Sequence, residues 1–170
     1  MSIKIFDDIF SPEEIVNIHK ECLTVPCTWA AVNDPRWKFW NGHIVSKQFN
    51  RLNDYPNIMH VWETAKHALE LDEYRIDVVY VNGQSLGNES PLHNDYGDLT
   101  FIYYSNPNWK LGWDGGTSFY NQERTDCIAS VSYKGGRIVA YDSSVPHKPQ
   151  AISMYANDIR IVLVFKLLKN

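Results

Sequence analysis

The sequence lacks the features that mark secreted and membrane proteins. It has only three cysteines in 170 residues, an odd number that gives no disulfide framework. No run of roughly 18 apolar residues occurs, and the opening MSIKIFDDIF does not follow the pattern of a secretory signal. We therefore expect a cytoplasmic protein with no membrane partner, in which Cys22 and Cys127 are buried thiols.

A concentrated positive charge is also missing. The net charge is −4, and no basic block or arginine-rich stripe appears, so a nucleic-acid partner is disfavoured. The hydrophobic content is 44%, which is enough for a sizeable core in a chain of this length. The sequence therefore predicts one globular domain over residues 1–170.

Helix signals are concentrated before residue 75. Ser11 and Glu14 form a capping box around Pro12, and an apolar face continues to Cys22. A second apolar stripe predicts a helix over about 55–70. Since these helices carry no evident chemistry, residues 1–74 are interpreted as a helical support region, in which His19 and His43 are structural.

From Arg75 onward, short β-runs alternate with turn residues, and residues 75–168 are predicted to form the core. This spacing is typical of a double-sheet jelly roll or barrel. The fold class is therefore mostly β with supporting N-terminal helices. The predicted strands are 75–82, 91–96, 99–105, 116–120, 127–133, 136–141, 147–152 and 159–167.

One histidine–acid pair could bind a metal. His93 and Asp95 are two residues apart, so in a strand both side chains project from the same face. With a second histidine they would make the facial triad that holds ferrous iron with open coordination positions, and His147 is the candidate. The alternative is an exposed pair at a strand end, because a single His-x-Asp is a weak signal.

Arg160 interrupts an otherwise apolar strand. A guanidinium inside a sandwich is costly unless it meets an anion, and its fork matches a carboxylate. Arg160 either lies just outside the core, solvated or paired with Asp158, or binds the carboxylate of a small co-substrate. A five-carbon diacid such as 2-oxoglutarate could span from the iron to Arg160, and the hydroxyl of Tyr104 could bind the same carboxylate.

Residues 27–50 have no clean period but are rich in aromatic side chains. Such a cluster either covers a sheet or lines a substrate pocket. As a hypothesis, loops 27–50 and 83–90 border the substrate entrance. The aromatic residues concerned are Trp29, Trp37, Phe39 and Trp40, with Tyr96, Trp109 and Trp113 from later segments.

Several segments occur in an order that is found in a known family. They are HND (93–95), IYYSNPNW (102–109), WDGGTSFY (113–120), GGRIVAYDSSVPHKP (135–149) and RIVLVF (160–165). In this order they resemble 2-oxoglutarate- and Fe(II)-dependent dioxygenases, most of all the prolyl 4-hydroxylase-like branch. NGQSLGNESPLHND (82–95) is similar to small phage-type and bacterial members, and the resemblance covers about residues 76–167.

The resemblance implies a double-stranded β-helix that holds Fe(II) and uses 2-oxoglutarate and O₂, with ascorbate as a candidate reductant. Its metal ligands would be His93, Asp95 and His147. The residues implied to bind 2-oxoglutarate are Arg160, Tyr104 and, as a second tyrosine, Tyr80. The interval from His147 to Arg160 is longer than in collagen-type prolyl hydroxylases, which makes Lys166 a rival for Arg160.

The implied reaction is hydroxylation of an unactivated C–H bond with release of succinate and CO₂. The substrate would be a peptidyl proline or a small molecule, since site chemistry does not fix what enters the pocket. Two alternatives stay open. One is a cupin-like metal-dependent lyase or isomerase, and the other is a non-enzymatic jelly roll that serves in binding or assembly.

Overall fold

A computed structural model describes residues 3–32, 34–88 and 90–170. The side chains of residues 30–37 are outside the description, and Trp37 is among them. The helices are α1 (Pro12–Cys22) and α2 (Pro56–Ala68). The strands are β1 (Lys4–Phe6), β2 (Thr28–Val32), β3 (Asp34–Ser46), β4 (Phe49–Asn50), β5 (Tyr74–Gln84), β6 (Leu99–Tyr104), β7 (Thr117–Tyr120), β8 (Cys127–Val131), β9 (Ile138–Asp142), β10 (His147–Pro149) and β11 (Arg160–Lys169).

Both helices form where the sequence predicts them. The Ser11 backbone N–H donates to Glu14 over 2.7 Å and the Glu14 N–H donates to Ser11 Oγ over 3.3 Å, which completes the capping box of α1. Proline opens each helix, where a missing N–H costs nothing. The apolar stripe of α2, which includes Trp62, is buried against the sheet.

The strands form two antiparallel sheets. The larger has eight strands in the order β1-β9-β6-β11-β5-β3-β2, with β4 added beside β3. The smaller has three strands in the order β10-β7-β8. The prediction of a two-sheet β core with helices outside it is therefore confirmed.

The central strand β11 serves both faces of the large sheet. Because strand side chains alternate, Leu163 and Phe165 join the core beneath the helices, while Val162 and Val164 face the smaller sheet. A strand buried on both faces has few polar positions, which explains its almost continuous apolar run.

Residues 27–50 differ from the expectation of helical support. They form β2 and β3, which extend the large sheet beyond β5. The alternation is hidden because aromatic residues lie on both faces, with Phe39 buried and Trp40 partly exposed. Gly42 adds to the irregularity, since a Cβ there would lie 2.8 Å from atoms of Val25 and Cys27.

Three further details depart from the sequence prediction. The predicted strand 91–96 is only an isolated β-bridge at His93, because the chain turns at Gly97 with a φ of 101°. The predicted strand 147–152 ends at Pro149. Cys22 is buried as expected, but Cys127 is exposed because β8 is the edge of the small sheet.

Within the part of the chain that the structure describes, no helix is both long and apolar enough to cross a membrane.

Candidate metal centre and active-site cavity

A cavity of about 820 Å³ lies between the two sheets. The large sheet contributes residues from β2, β3, β5, β6, β9 and β11, and the small sheet contributes residues from β7 and β10. Five of the six site residues predicted from the sequence border this cavity: His93, Asp95, His147, Arg160 and Tyr80. The sixth, Tyr104, does not line it.

The two candidate histidine ligands are joined through the backbone. The N–H of His93 donates to the carbonyl of His147 over 3.0 Å, and the N–H of His147 donates back over 2.8 Å. This antiparallel bridge brings the ring centroids to 4.5 Å from each other. Residues 54 positions apart in the sequence are therefore neighbours because the chain after β5 pairs with the start of β10.

Asp95 completes the cluster. Its backbone N–H donates to the carbonyl of Ser143 over 2.9 Å, which fixes the chain after the bridge. His93, Asp95 and His147 each offer one ligand atom, and these three atoms lie within 4.8 Å of one another. Two imidazole nitrogens and one carboxylate oxygen in this arrangement form the donor set typical of a non-haem Fe(II) site.

The imidazole orientations also suit a metal. His93 Nδ1 lies 2.9 Å from the Pro91 carbonyl, and His147 Nδ1 lies 2.9 Å from the Val145 carbonyl. A carbonyl only accepts, so each Nδ1 carries the proton and each Nε2 keeps its lone pair for a metal. Burial lowers the pKa of His147 to about 4, so this imidazole is neutral at pH 7.

Two residues beside Asp95 were not assigned to the metal site from the sequence. The Tyr141 hydroxyl donates to Asp95 Oδ2 over 3.3 Å and lies 3.2 Å from His147 Nε2. Lys166 Nζ lies 2.7 Å from Asp95 Oδ1. Burial raises the pKa of Asp95, but two cations outweigh it and hold this pKa below its ordinary value: His147, which is protonated only at the acid pH where Asp95 titrates, and the Lys166 ammonium. The sequence indicates Lys166 only as a rival to Arg160 for the carboxylate of 2-oxoglutarate.

Arg160 lies inside the sandwich. It is 2% exposed, and its Nε donates to the Gly115 carbonyl. Its Cζ is 5.7 Å from the ring centroids of both Tyr104 and Tyr133. Among the described residues, no acidic side chain forms an ion pair with Arg160, and burial lowers the pKa of Arg160. The side chain is a buried cation that borders the cavity without an anion, and the alternative pairing with Asp158 is not formed.

The two tyrosines occupy different positions along the cavity. Tyr104 is buried beside Arg160, and its hydroxyl donates to Thr117 Oγ1 over 2.8 Å. Tyr80 pairs across the strands with Val164, whereas Arg160 pairs with Gln84. Tyr80 therefore lies about four residues further along the sheet, nearer Lys166. Lys166 itself is six residues from Arg160 on β11, which corresponds to roughly 20 Å between Cα atoms.

Residues 27–50, whose sequence shows no clean alternation of polar and apolar side chains, also contribute to the cavity. Thr28, Phe39, Asn41 and His43 line it, so His43 is a cavity residue rather than a purely structural one. A second cavity of about 560 Å³ shares His43 and Tyr96 with it. His43 reaches this face because β3 pairs with β5, where His43 lies opposite Tyr80.

Only some of the residues in the predicted substrate border lie at the cavity. Tyr96 lines the cavity, but Trp109 packs in the core with its ring centroid 4.8 Å from that of Tyr133. Trp113 packs edge-on against Trp109 at 5.2 Å and does not line the cavity. The indole of Trp109 lies against Gly115, where a Cβ would be 3.2 Å from its Cζ2 atom. The side chain of Trp37 is outside the described residues.

No protein-family model matches the chain, and no curated protein matches its sequence at a significant level. Solved structures do match its fold. A 2OG-Fe(II) oxygenase family oxidoreductase from Burkholderia pseudomallei has a TM-score of 0.76 at 12% identity, covering 99% of this chain and 86% of that one.

Two further solved structures carry ligands. A Trichoplax adhaerens prolyl hydroxylase in complex with a hypoxia-inducible-factor peptide fragment has a TM-score of 0.75 at 15% identity, covering 98% of this chain and 83% of that one. HygX from Streptomyces hygroscopicus, with nickel and 2-oxoglutarate bound, has a TM-score of 0.69 at 8% identity, covering 99% and 83%. At these identities the likeness concerns the fold. The chain has the jelly-roll fold of 2-oxoglutarate and Fe(II) oxygenases, prolyl hydroxylases among them, as the resemblance predicted.

Proposed function

We propose that this protein is an Fe(II)- and 2-oxoglutarate-dependent dioxygenase that hydroxylates an unactivated C–H bond. The observation that carries the proposal is the pairing of two features in one cavity. Ligand atoms of His93, Asp95 and His147 converge, and the buried guanidinium of Arg160 borders the same space without an acidic partner. The fold shared with solved oxygenases supports the same conclusion.

The roles of the protein groups follow from their positions. His93, Asp95 and His147 would hold the iron through two Nε2 atoms and a carboxylate oxygen. Arg160 would bind the distal carboxylate of 2-oxoglutarate, because its fork matches a carboxylate bidentately and is costly to bury unpaired. Tyr104 would turn its hydroxyl from Thr117 toward the same carboxylate. Tyr80 remains a candidate for a contact nearer the metal.

When bound, iron, 2-oxoglutarate and O₂ supply the oxidative chemistry, in which succinate and CO₂ are released and a hydroxyl group is transferred to the substrate. Val162, Val164 and Ile102 give the cavity apolar walls, which would help to exclude water from the reacting centre. The proposed substrate is a peptidyl proline or a small molecule, and the peptide bound to the Trichoplax enzyme supports the first. The cytoplasmic location and the use of ascorbate stay predictions.

An anaerobic titration tests the proposal. Fe(II) and 2-oxoglutarate are added together, and the charge-transfer absorption of the metal–2-oxoglutarate chelate is followed. We expect it in the wild type and in His67→Ala, whose histidine is exposed on α2, but not in His147→Ala. Admission of O₂ should then yield succinate.

The outcomes separate the alternatives. Metal binding with no response to 2-oxoglutarate would indicate a cupin-like lyase or isomerase. Equal metal content in the wild type and His147→Ala would indicate a non-enzymatic jelly roll.

A further inference from the structure

Asp95 already has a cationic partner before any metal arrives. Its side chain is 5% exposed, and that of Lys166 is 12% exposed, so both charges are largely removed from water. The 2.7 Å contact is made by Oδ1, whereas Oδ2 lies toward His147 and Tyr141. The two oxygens of one carboxylate therefore have different environments.

Lys166 is held in this position by aromatic rings. Its Nζ lies 4.7 Å from the ring centroid of Tyr96 and 5.8 Å from that of Tyr80, within reach of cation–π attraction. Lysine on a β-strand otherwise extends its flexible stem to solvent. Here β11 projects it from the cavity face, on which Arg160, Val162 and Val164 also lie.

The charge of Lys166 has no substitute in the described structure. His147 Nε2 lies 3.5 Å from Asp95 Oδ2, and this nitrogen is the one that would bind the proposed metal. In the part of the chain that the structure describes, no other lysine or arginine forms an ion pair with Asp95. A buried carboxylate without a cation is strongly destabilising, so some positive charge is needed whenever the metal is absent.

We propose that Lys166 is the resident counter-ion of Asp95, which stabilises the metal-free site and leaves Oδ2 as the oxygen for the metal. This inference rests on the proposed metal site and assigns to Lys166 a positioning role distinct from that of Arg160. Because Lys166 and the metal share one carboxylate, the ammonium also repels the incoming cation. Lys166 thus stabilises the empty site at the expense of metal affinity.

The test compares chelator-treated protein with Mn(II)-loaded protein for Lys166→Met and, as a matched control, Lys169→Met on the same strand. Lys169 is exposed and lies over the ring of Tyr74, away from the cavity. We expect Lys166→Met to lower the metal-free Tm by about 6–20 °C, the loss for an uncompensated buried charge in a domain of this size. The Mn(II) Kd should fall by about tenfold or more, because the like charge is gone.

A charge-retaining variant and a second background separate charge from packing. Lys166→Arg should keep the Mn(II) Kd within about threefold of wild type. With Asp95→Asn in the background there is no carboxylate to neutralise, so Lys166→Met should no longer lower the Tm.

The inference is overturned if Lys166→Met leaves the metal-free Tm and the Mn(II) Kd unchanged, or if it weakens Mn(II) binding. An equal loss of Tm in the Asp95→Asn background also overturns it, because the effect would then be packing. These failures differ from failure of the proposed function, which would appear as no Mn(II) binding by the wild type.

Discussion

The two faces of the large sheet are built from alternate residues of the same strands but have opposite characters. Toward the helices, Phe101 and Phe165 stack at 4.4 Å, and Trp62 of α2 stacks on both at 6.4 and 6.3 Å. Toward the small sheet, the alternate residues of the same strands border a cavity that contains buried or half-buried charged side chains. That face carries Arg160 and Lys166 on β11 and Tyr141 on β9.

The difference between the faces separates stability from chemistry. Close aromatic packing on the helix face buries apolar area and needs no ligand. On the cavity face a cation is buried without an anion, which costs free energy until a ligand binds. We therefore expect removal of the unpaired cation on the cavity face, Arg160, to change binding with little loss of stability, and substitutions on the helix face to do the reverse.

Arg160→Met should give the largest effect on binding. Removing one partner of a buried charge pair costs about 2–5 kcal/mol, so the Kd of 2-oxoglutarate should rise roughly 30-fold to several thousand-fold. The Tm of the ligand-free protein should stay the same or rise, since a buried unpaired cation is removed.

The measurement for Arg160→Met is a 2-oxoglutarate titration of Mn(II)-loaded protein, beside a thermal melt without ligands. Mn(II) affinity in the absence of 2-oxoglutarate is the internal control and should not change. A Kd for 2-oxoglutarate within threefold of wild type would show that another group, with Lys166 the first to examine, binds the distal carboxylate.

Phe101→Ala should affect the opposite property. The side chain is fully buried in the aromatic stack, so its loss should lower the free energy of unfolding by about 3–5 kcal/mol. Urea unfolding measures this loss, and the Mn(II) affinity of the protein that stays folded should change less than threefold.

Ile102→Ala sharpens that comparison, because Ile102 is the next residue on β6 and lines the cavity. It should change 2-oxoglutarate or Mn(II) affinity as well as stability. If Phe101→Ala altered ligand affinity as much as Ile102→Ala, the two faces would not be energetically separate.

Much of this arrangement could be predicted from the sequence because it depends on local signals. The capping box at Ser11 and Glu14 and the apolar run of β11 each act within a few residues. The spacing of His93 and Asp95 suggested a shared site, although not for the predicted reason. They meet around a β-bridge to His147 rather than along one strand. Arg160 was recognisable because a charge is rare within such an apolar run.

The rest depends on pairing between distant strands, which a single sequence does not reveal. Lys166 reaches Asp95 only because β11 lies between β5 and β6, and Tyr141 reaches it only because β9 pairs with β6. The strands β2 and β3 were missed because aromatic side chains on both faces removed the period of two. Cys127 was misjudged because an apolar neighbourhood in sequence does not show which strand is an edge.

The smallest predicted effect concerns a histidine on the helix side. His19 of α1 is half-buried, and its Nδ1 lies 3.0 Å from the hydroxyl of the buried Ser105. Burial lowers the pKa of His19 more than the negative charge of Asp158 raises it. The unfolded chain therefore binds a proton at higher pH than the folded chain does. It follows that His19 reduces the free energy of unfolding as the pH falls below about 6.5, the ordinary histidine pKa.

His19→Gln should make the decrease of unfolding free energy between pH 7 and pH 5.5 shallower, as measured by urea denaturation at several pH values. His67→Gln is the control, because His67 is exposed on α2. The metal-free protein must be used, since protons compete with a metal for the cavity histidines. An unchanged slope in His19→Gln would mean that His19 contributes nothing to the acid sensitivity.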